Sequence, residues 1–129
     1  MMEIEVSREQ GRVPVSVLRL KGALISEEEL QQRAKEEYDA GARYMLLDLS
    51  DVPYMASAGL RALHFIYSLL RPSGDAAEAR KGLVEGTYTS RHLKLLKPSK
   101  HAQEALQVAG YDMFIESFQD RAQAIASFS

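Results

Sequence analysis

The chain has 129 residues, no cysteine and a formal net charge of −2, with 46% hydrophobic and 26% charged residues. This size and composition predict one globular domain over residues 1–129. The lack of cysteine excludes disulfides, thiol nucleophiles and thiolate-bound metal clusters, and the small net charge argues against nucleic acid as the main partner. The acidic, alternating start is unlike a signal peptide, and no apolar run approaches the roughly 20 residues of a membrane helix. We therefore expect a cytoplasmic protein with no membrane partner.

The first predicted elements are two strands and a helix. Apolar residues alternate with charged ones around residues 3–7, and residues 13–20 form a second apolar segment, so the two predict a β-hairpin. A helix is then expected to run to about residue 40, just before Gly41. Its start is indicated by a capping box and a hydrophobic staple, formed by Ser26 with Glu29 and by Ile25 with Leu30.

The central segment predicts a buried strand followed by a turn and a helix. Residues 44–49 are almost continuously apolar, which is typical of a strand covered on both faces. Ser57 follows the turn and occupies the N-cap position of a helix expected from about 58 to 70. The unpaired N–H groups and the positive dipole end of that helix would suit an added phosphate on the Ser57 hydroxyl.

The second half begins with a long connection, residues 71–92, which we expect to be mobile. A strand at 93–97 follows it, and Pro98 and Ser99 then start a helix at 100–109 that ends at Gly110. A short strand at 113–115 and a last helix, started by a second capping box at Ser117, complete the predicted order.

Residues 44–63 resemble the phosphorylation-site region of STAS domains, the family of the bacterial anti-sigma factor antagonists. In that family an apolar strand ends in Asp-Leu, and a short turn leads to Asp-Ser-Ser-Gly-Leu at the start of a helix. Ser57 matches the first serine, which is the phosphoacceptor in the antagonists, and Gly59 and Leu60 match the glycine and the leucine. The chain departs from the pattern at Ala56, which replaces the Asp, and at Ala58, which replaces a residue that is often Ser or Thr.

The resemblance implies an α/β fold with a small mixed sheet of about five strands and about four helices, mostly on one side. It also implies a non-enzymatic switch that regulates sigma-factor-dependent transcription. The unphosphorylated protein would bind an anti-sigma factor serine kinase, and phosphorylation of Ser57 would break that complex. The kinase would supply ATP and Mg²⁺, so no cofactor or metal site is expected in this chain.

The resemblance places the docking surface at the tip of the helix that Ser57 begins. Two of its residues, Tyr54 and Met55, could either flank the partner or close the core beneath the turn. The expected partner-binding residues are Asp51, Tyr54, Met55, Ala56, Ala58, Gly59, Leu60 and Arg61.

Two alternatives stay open. The first is a STAS scaffold within a sensory or stress-signalling assembly, in which Ser57 is never phosphorylated; the loss of the acidic residue at Ala56 favours it. The second is a response-regulator receiver with Asp48 as phosphoacceptor, because Asp48 lies near the end of a buried strand and Lys97 precedes a proline as in receivers. Against the receiver, the chain opens with two successive strands, and Asp48 can instead be a strand-end carboxylate that accepts backbone N–H bonds.

No catalytic or metal-binding set is indicated elsewhere. The three histidines, His64, His92 and His101, are far apart in sequence, and none has a partner at ligand spacing. No histidine has a structural reason to lie beside Ser57, so a Ser-His-Asp nucleophile is not predicted.

Overall fold

A computed structural model describes residues 3–71 and 90–128 of the chain. The predicted connection 71–92 therefore lies, from residue 72 to residue 89, outside the described residues. The elements in chain order are β1 (Glu3–Gln10), β2 (Pro14–Lys21), α1 (Glu28–Asp39), β3 (Met45–Asp51), α2 (Ser57–Leu70), β4 (Leu93–Leu96), α3 (Lys100–Ala109), a 3₁₀ turn (Tyr111–Met113), β5 (Glu116–Phe118) and α4 (Arg121–Ser127).

The five strands form one mixed sheet in the order β1-β2-β3-β4-β5. β1 and β2 are antiparallel, as expected for a hairpin, and β2 to β5 are parallel neighbours. The parallel strands bring their carboxyl ends to one edge of the sheet, where connecting segments are the usual place for a functional site. The expected α/β fold, with a five-stranded mixed sheet and four helices among the described residues, is confirmed.

The core lies on both faces of the sheet. Residues 45–47 and 49 of β3 are completely buried, which confirms a central strand covered on both sides. Alternate strand residues such as Leu18 and Leu47 pack under α1 and α2, whereas Val17 and Leu46 pack on the opposite face. The second face is covered by Ala124 and Phe128 at α4, whereas α1, α2 and α3 pack on the first face, so the described helices lie mostly on one side, as expected.

The start of α1 differs from the prediction. The helix begins at Glu28, its N-cap is Glu27, and no side chain caps it, so the predicted capping box is wrong. The staple is wrong too, because Ile25 is 63% exposed. The cause is tertiary: Leu24 donates from its N–H to the Tyr54 carbonyl at 2.8 Å, and its own carbonyl accepts from the Ala56 N–H at 2.9 Å. This pairing pulls the chain towards the turn before α2 and leaves Ile25 facing outwards.

The C-terminal third is partly as predicted. α3 spans the expected residues, is capped by Ser99 and ends at Gly110, whose φ of 78° is left-handed. The strand expected at 113–115 is wrong, because a 3₁₀ turn occupies residues 111–113 and β5 begins at residue 116. The capping box expected at Ser117 is also wrong, since Ser117 lies in β5 and Asp120 caps α4 by accepting from the Gln123 N–H at 2.9 Å.

Candidate functional site

Ser57 is the first residue of α2 rather than its N-cap. The N-cap is Ala56, whose extended backbone (φ −88°, ψ 175°) precedes the helix. The Ala56 carbonyl accepts from the Gly59 N–H at 2.9 Å and from the Leu60 N–H at 3.3 Å, which makes it the first acceptor of the helix. The predicted N-cap role of Ser57 is therefore wrong by one position, and with it the interpretation of Ser57 as a capping serine.

The Ser57 side chain is exposed and is not used by the fold. No side chain caps α2, and among residues 3–71 and 90–128 the Ser57 hydroxyl has no hydrogen-bond partner. A serine at the N-cap would accept an N–H of the first helical turn, whereas this hydroxyl is left to the solvent. It lies at the helix end where the dipole is positive, which stabilises a negative group.

The turn that presents Ser57 is fixed by the core beneath it. Met55 is 3% exposed and forms an isolated parallel bridge with Leu24. A Cβ atom on Gly59 would lie 2.8 Å from Leu24 Cγ and 2.9 Å from Met55 Cγ. Only glycine therefore allows the first turn of α2 to sit this close to the core, and the position of Ser57 follows from that contact.

Tyr54 and Met55 have opposite roles. Met55 closes the core, whereas Tyr54 is 46% exposed on the surface. The Tyr54 ring packs against the His101 ring, with centroids 4.5 Å apart and planes tilted by 35°. The Met55 N–H also donates to His101 Nδ1 at 3.4 Å, so α3 supports the turn before Ser57. His101 belongs to this site, and no sequence spacing indicated it.

The other side of Ser57 is formed by the segment before α1. Arg61 Nε donates to Glu27 Oε2 at 3.3 Å, which joins the starts of α1 and α2. Ile25 is exposed in the same segment. The sequence interpretation missed Ile25 and Glu27 as site residues. An apolar residue followed by acidic ones is the usual pattern of a buried staple at a helix start, and this pattern gives no sign that the apolar residue is exposed.

Two of the expected docking residues are buried, and a third is exposed but paired with a strand of the sheet. Gly59 and Met55 are buried, and Asp51 is held by Arg19 of β2, whose Nη2 and Nε lie 2.7 Å and 3.1 Å from Asp51 Oδ2. The hydrogen bond and the charge of Asp51 raise the pKa of Arg19. We define the Ser57 surface by its exposed or half-buried members, which are Ile25, Tyr54, Ala56, Ser57, Ala58, Leu60 and Arg61.

Asp48 is a structural carboxylate. It is 7% exposed, and its Oδ1 accepts from the Ser50 N–H at 3.0 Å and from the Ser50 hydroxyl at 2.7 Å. This confirms the interpretation of Asp48 as a carboxylate that accepts a backbone N–H, although Asp48 lies in the middle of β3 rather than at its end. The receiver alternative is wrong, because the first two strands form an antiparallel hairpin at the edge of a mixed sheet. Across the described ranges, no three His, Cys, Asp or Glu side chains are grouped to hold a metal ion.

None of the helices in residues 3–71 and 90–128 has both the length and the apolar character of a membrane span.

Known structures share this fold at low sequence identity. An anti-sigma factor antagonist from Mycobacterium paratuberculosis aligns with a TM-score of 0.75 at 17% identity, over 99% of this chain and 94% of the other. A STAS domain protein from Planctomyces limnophilus, an anti-sigma-factor antagonist, gives 0.63 at 20% identity, over 100% and 99%. The Bacillus cell fate determinant SpoIIAA in its phosphorylated form gives 0.62 at 17% identity, over 95% and 96%.

The sequence comparisons give the family. No curated protein sequence matches the chain. The family profile described as the STAS domain matches residues 6–74, which is more than half of the 129 residues and includes the whole Ser57 surface. The resemblance predicted from residues 44–63 is thereby confirmed, and the chain belongs to the STAS domain family.

Proposed function

We propose that this protein is a cytoplasmic anti-sigma factor antagonist that is switched by phosphorylation of Ser57. The unphosphorylated form binds an anti-sigma factor serine kinase and so releases a sigma factor for transcription, and the phosphorylated form dissociates. The observation that carries the proposal is the exposed Ser57 hydroxyl at the first residue of α2, which has no hydrogen-bond partner in residues 3–71 and 90–128. Its position matches the family phosphoacceptor, and one of the similar structures is a phosphorylated SpoIIAA.

The proposed switch follows from the chemistry of the Ser57 surface. Its neighbours along the chain are the small residues Ala56 and Ala58, which let a partner backbone approach closely. Exposed apolar groups, Ile25 and Tyr54, add contact area. A phosphate on Ser57 would bring about −1.5 to −2 charges into this surface. A partner that covers the surface with apolar or acidic groups would then be expelled by desolvation and repulsion.

The proposal assigns no catalytic activity to the chain itself. In the described residues no side chain is hydrogen-bonded to the Ser57 hydroxyl in the way that a general base activates a nucleophile. Phosphoryl transfer would depend on the kinase, with ATP and Mg²⁺ bound there.

A second function is favoured by one residue. Ala56 stands where the antagonists have Asp, so the acidic neighbour of the phosphoacceptor is missing from the chain. The alternative is a STAS scaffold in a sensory assembly, in which the Ser57 surface binds its partner constitutively and Ser57 is never modified.

Mass spectrometry with the serine kinase encoded nearest to this gene tests the proposal. With ATP and Mg²⁺, the protein should gain about 80 Da, the mass of one phosphate. The gain should vanish in Ser57→Ala and persist in Ser99→Ala, which removes a serine at another helix start. No gain, or a gain that survives in Ser57→Ala, would contradict the switch.

Binding to the same kinase completes the test. Ser57→Glu should weaken the complex at least about tenfold, equivalent to about 1.4 kcal/mol. Ser57→Gln, which adds similar volume without charge, is the matched control and should weaken it less. Equal affinities for the wild type and Ser57→Glu would favour the scaffold.

A further inference from the structure

We infer that Arg61 receives the phosphate of Ser57 within the same molecule, and that it leaves Glu27 to do so, which opens the contact between the starts of α1 and α2. The inference deepens the proposed function and rests on it, because the phosphate must first arrive on Ser57. Arg61 is the residue that binds the phosphate, and the start of α1 is the segment that moves in response.

The position of Ser57 inside the helix makes this contact possible. Ser57 is the first residue of α2 and Arg61 is the fifth. Helical residues four apart lie on the same face, with Cβ atoms about 5–6 Å apart, and an arginine side chain spans that distance easily. Had Ser57 been the N-cap, its non-helical backbone would have directed its side chain towards the N–H groups of the first turn instead.

Arg61 is held only loosely in the unphosphorylated protein. Its contact with Glu27 is a single 3.3 Å hydrogen bond from Nε, and its side chain is 60% exposed. An exposed ion pair of this kind is weak. Arginine binds a phosphate through short, charge-assisted and often bidentate hydrogen bonds, which are stronger. Arg61 is also the one Arg or Lys in α2, so no other arginine or lysine of that helix competes for the phosphate.

The groups around Glu27 favour the separation of Glu27 from Arg61. Glu27 Oε2 accepts from Gln31 Nε2 at 3.3 Å as well as from Arg61, so it keeps one neutral partner when Arg61 leaves. The next two residues, Glu28 and Glu29, are also acidic. A phosphate dianion on Ser57 would repel this acidic start of α1 while it attracts Arg61. Because Ile25 lies two residues before Glu27, the movement would change the apolar side of the Ser57 surface as well as its charge.

The test uses full-length protein with phosphoserine installed at position 57 during translation, so that it does not depend on any kinase. The second ionisation of phosphoserine, with an ordinary pKa of about 6, is followed by ³¹P NMR. A nearby arginine favours the dianion and lowers this pKa. We expect the phosphoserine pKa to rise by about 0.5 in Arg61→Gln relative to the wild type, and to fall in Glu27→Gln, where the competing acid is gone.

Arg33→Gln is the matched control. It removes the same charge from an exposed arginine of α1 that borders Ile4 of the edge strand rather than Ser57. Its phosphoserine pKa should equal that of the wild type. Phosphorylation should also shift the Arg61 Nε–H resonance and the backbone amides of residues 25–28 in the wild type, and should shift those amides less in Arg61→Gln, where only the direct repulsion by the phosphate remains.

An identical phosphoserine pKa in the wild type and Arg61→Gln would overturn the inference, as would an equal rise in Arg33→Gln. Failure of the kinase to modify Ser57 would instead contradict the proposed function, because the NMR experiment starts from protein that already carries the phosphate. The two failures are therefore distinguishable.

Discussion

Two helices of this domain start next to a serine and use it differently. Ser99 is the N-cap of α3, and its hydroxyl accepts from the Ala102 N–H at 3.2 Å. Ser57 is the first residue of α2, which begins after Ala56 and has no side-chain cap. The same residue type is therefore a structural acceptor in one helix, whereas in the other its hydroxyl has no hydrogen-bond partner within the part of the chain that the structure describes. A difference of one position along the helix decides whether a serine is available for chemistry.

The two starts also differ in how they meet the core. The first turn of α2 is packed against Leu24 and Met55 through Gly59, whereas α3 is joined to the same turn from outside, through His101 and Tyr54. The start of α2 depends on close packing, and that of α3 depends on a cap. The following changes test this contrast.

The largest effect is expected from Gly59→Val. The added Cβ would clash with Leu24 Cγ and Met55 Cγ, at 2.8 Å and 2.9 Å, and both side chains are buried. Overpacking of this kind costs up to about 3 kcal/mol. Chemical denaturation should show that loss, and Ala58→Val at the half-buried neighbour is the control. An equal loss in both variants would mean that Gly59 is not what seats α2.

Replacing the two serines by alanine should change the free energy of unfolding by different amounts, because only Ser99 caps its helix. Ser99→Ala removes the acceptor of the Ala102 N–H and should lower the free energy of unfolding by about 0.5–2 kcal/mol. Ser57→Ala removes a hydroxyl without a hydrogen bond in the described part of the chain and should stay within about 0.5 kcal/mol of the wild type. Urea unfolding measures both. A larger loss in Ser57→Ala than in Ser99→Ala would contradict the observed helix starts.

Ala56→Asp should stabilise the protein rather than destabilise it. Ala56 has the extended backbone of an N-cap but no side-chain acceptor, so an aspartate there could accept a first-turn N–H and complement the dipole. We expect a stabilisation of about 0.5–1 kcal/mol, measured by thermal unfolding. Ala58→Asp places the same charge inside the first turn, where it can complement the dipole without capping, and should gain less. No gain in Ala56→Asp would show that the cap geometry is not used.

The smallest effect is expected far from both helix starts. The Lys21 ammonium, 2.9 Å from the Glu5 carboxylate, lowers the Glu5 pKa by its hydrogen bond and its charge. A lowered pKa stabilises the fold above the unfolded value, and this contribution is lost as the pH falls through the folded value.

Glu5→Gln should therefore be slightly less stable than the wild type near pH 7 and equal to it near pH 3. The difference in unfolding free energy between Ser57→Ala and Ser99→Ala should be the same at both pH values, since serine does not titrate between them. Urea unfolding at both pH values measures each difference. A Glu5→Gln deficit that is unchanged in acid would exclude this ion pair as its cause.

Much of the fold follows from local patterns. The continuous apolar run before Asp48 predicted a buried strand, and Ser99 with Gly110 predicted both ends of α3, because periodicity and helix ends depend on residues that are neighbours in sequence. The pattern around Ser57 also indicated the family. The two capping boxes, assigned at Ser26 and Ser117, were wrong.

The tertiary structure decided how the site is built. Leu24 pairs with the turn at Met55, and this pairing turns Ile25 outwards and starts α1 at Glu28. Arg61 meets Glu27 from 34 residues away and His101 meets Met55 from 46 residues away. The sequence alone determined the order of the elements, the buried centre of the sheet and the family. It could not determine these partners, because a contact between distant segments depends on how complete elements pack and leaves no periodic signal in either segment.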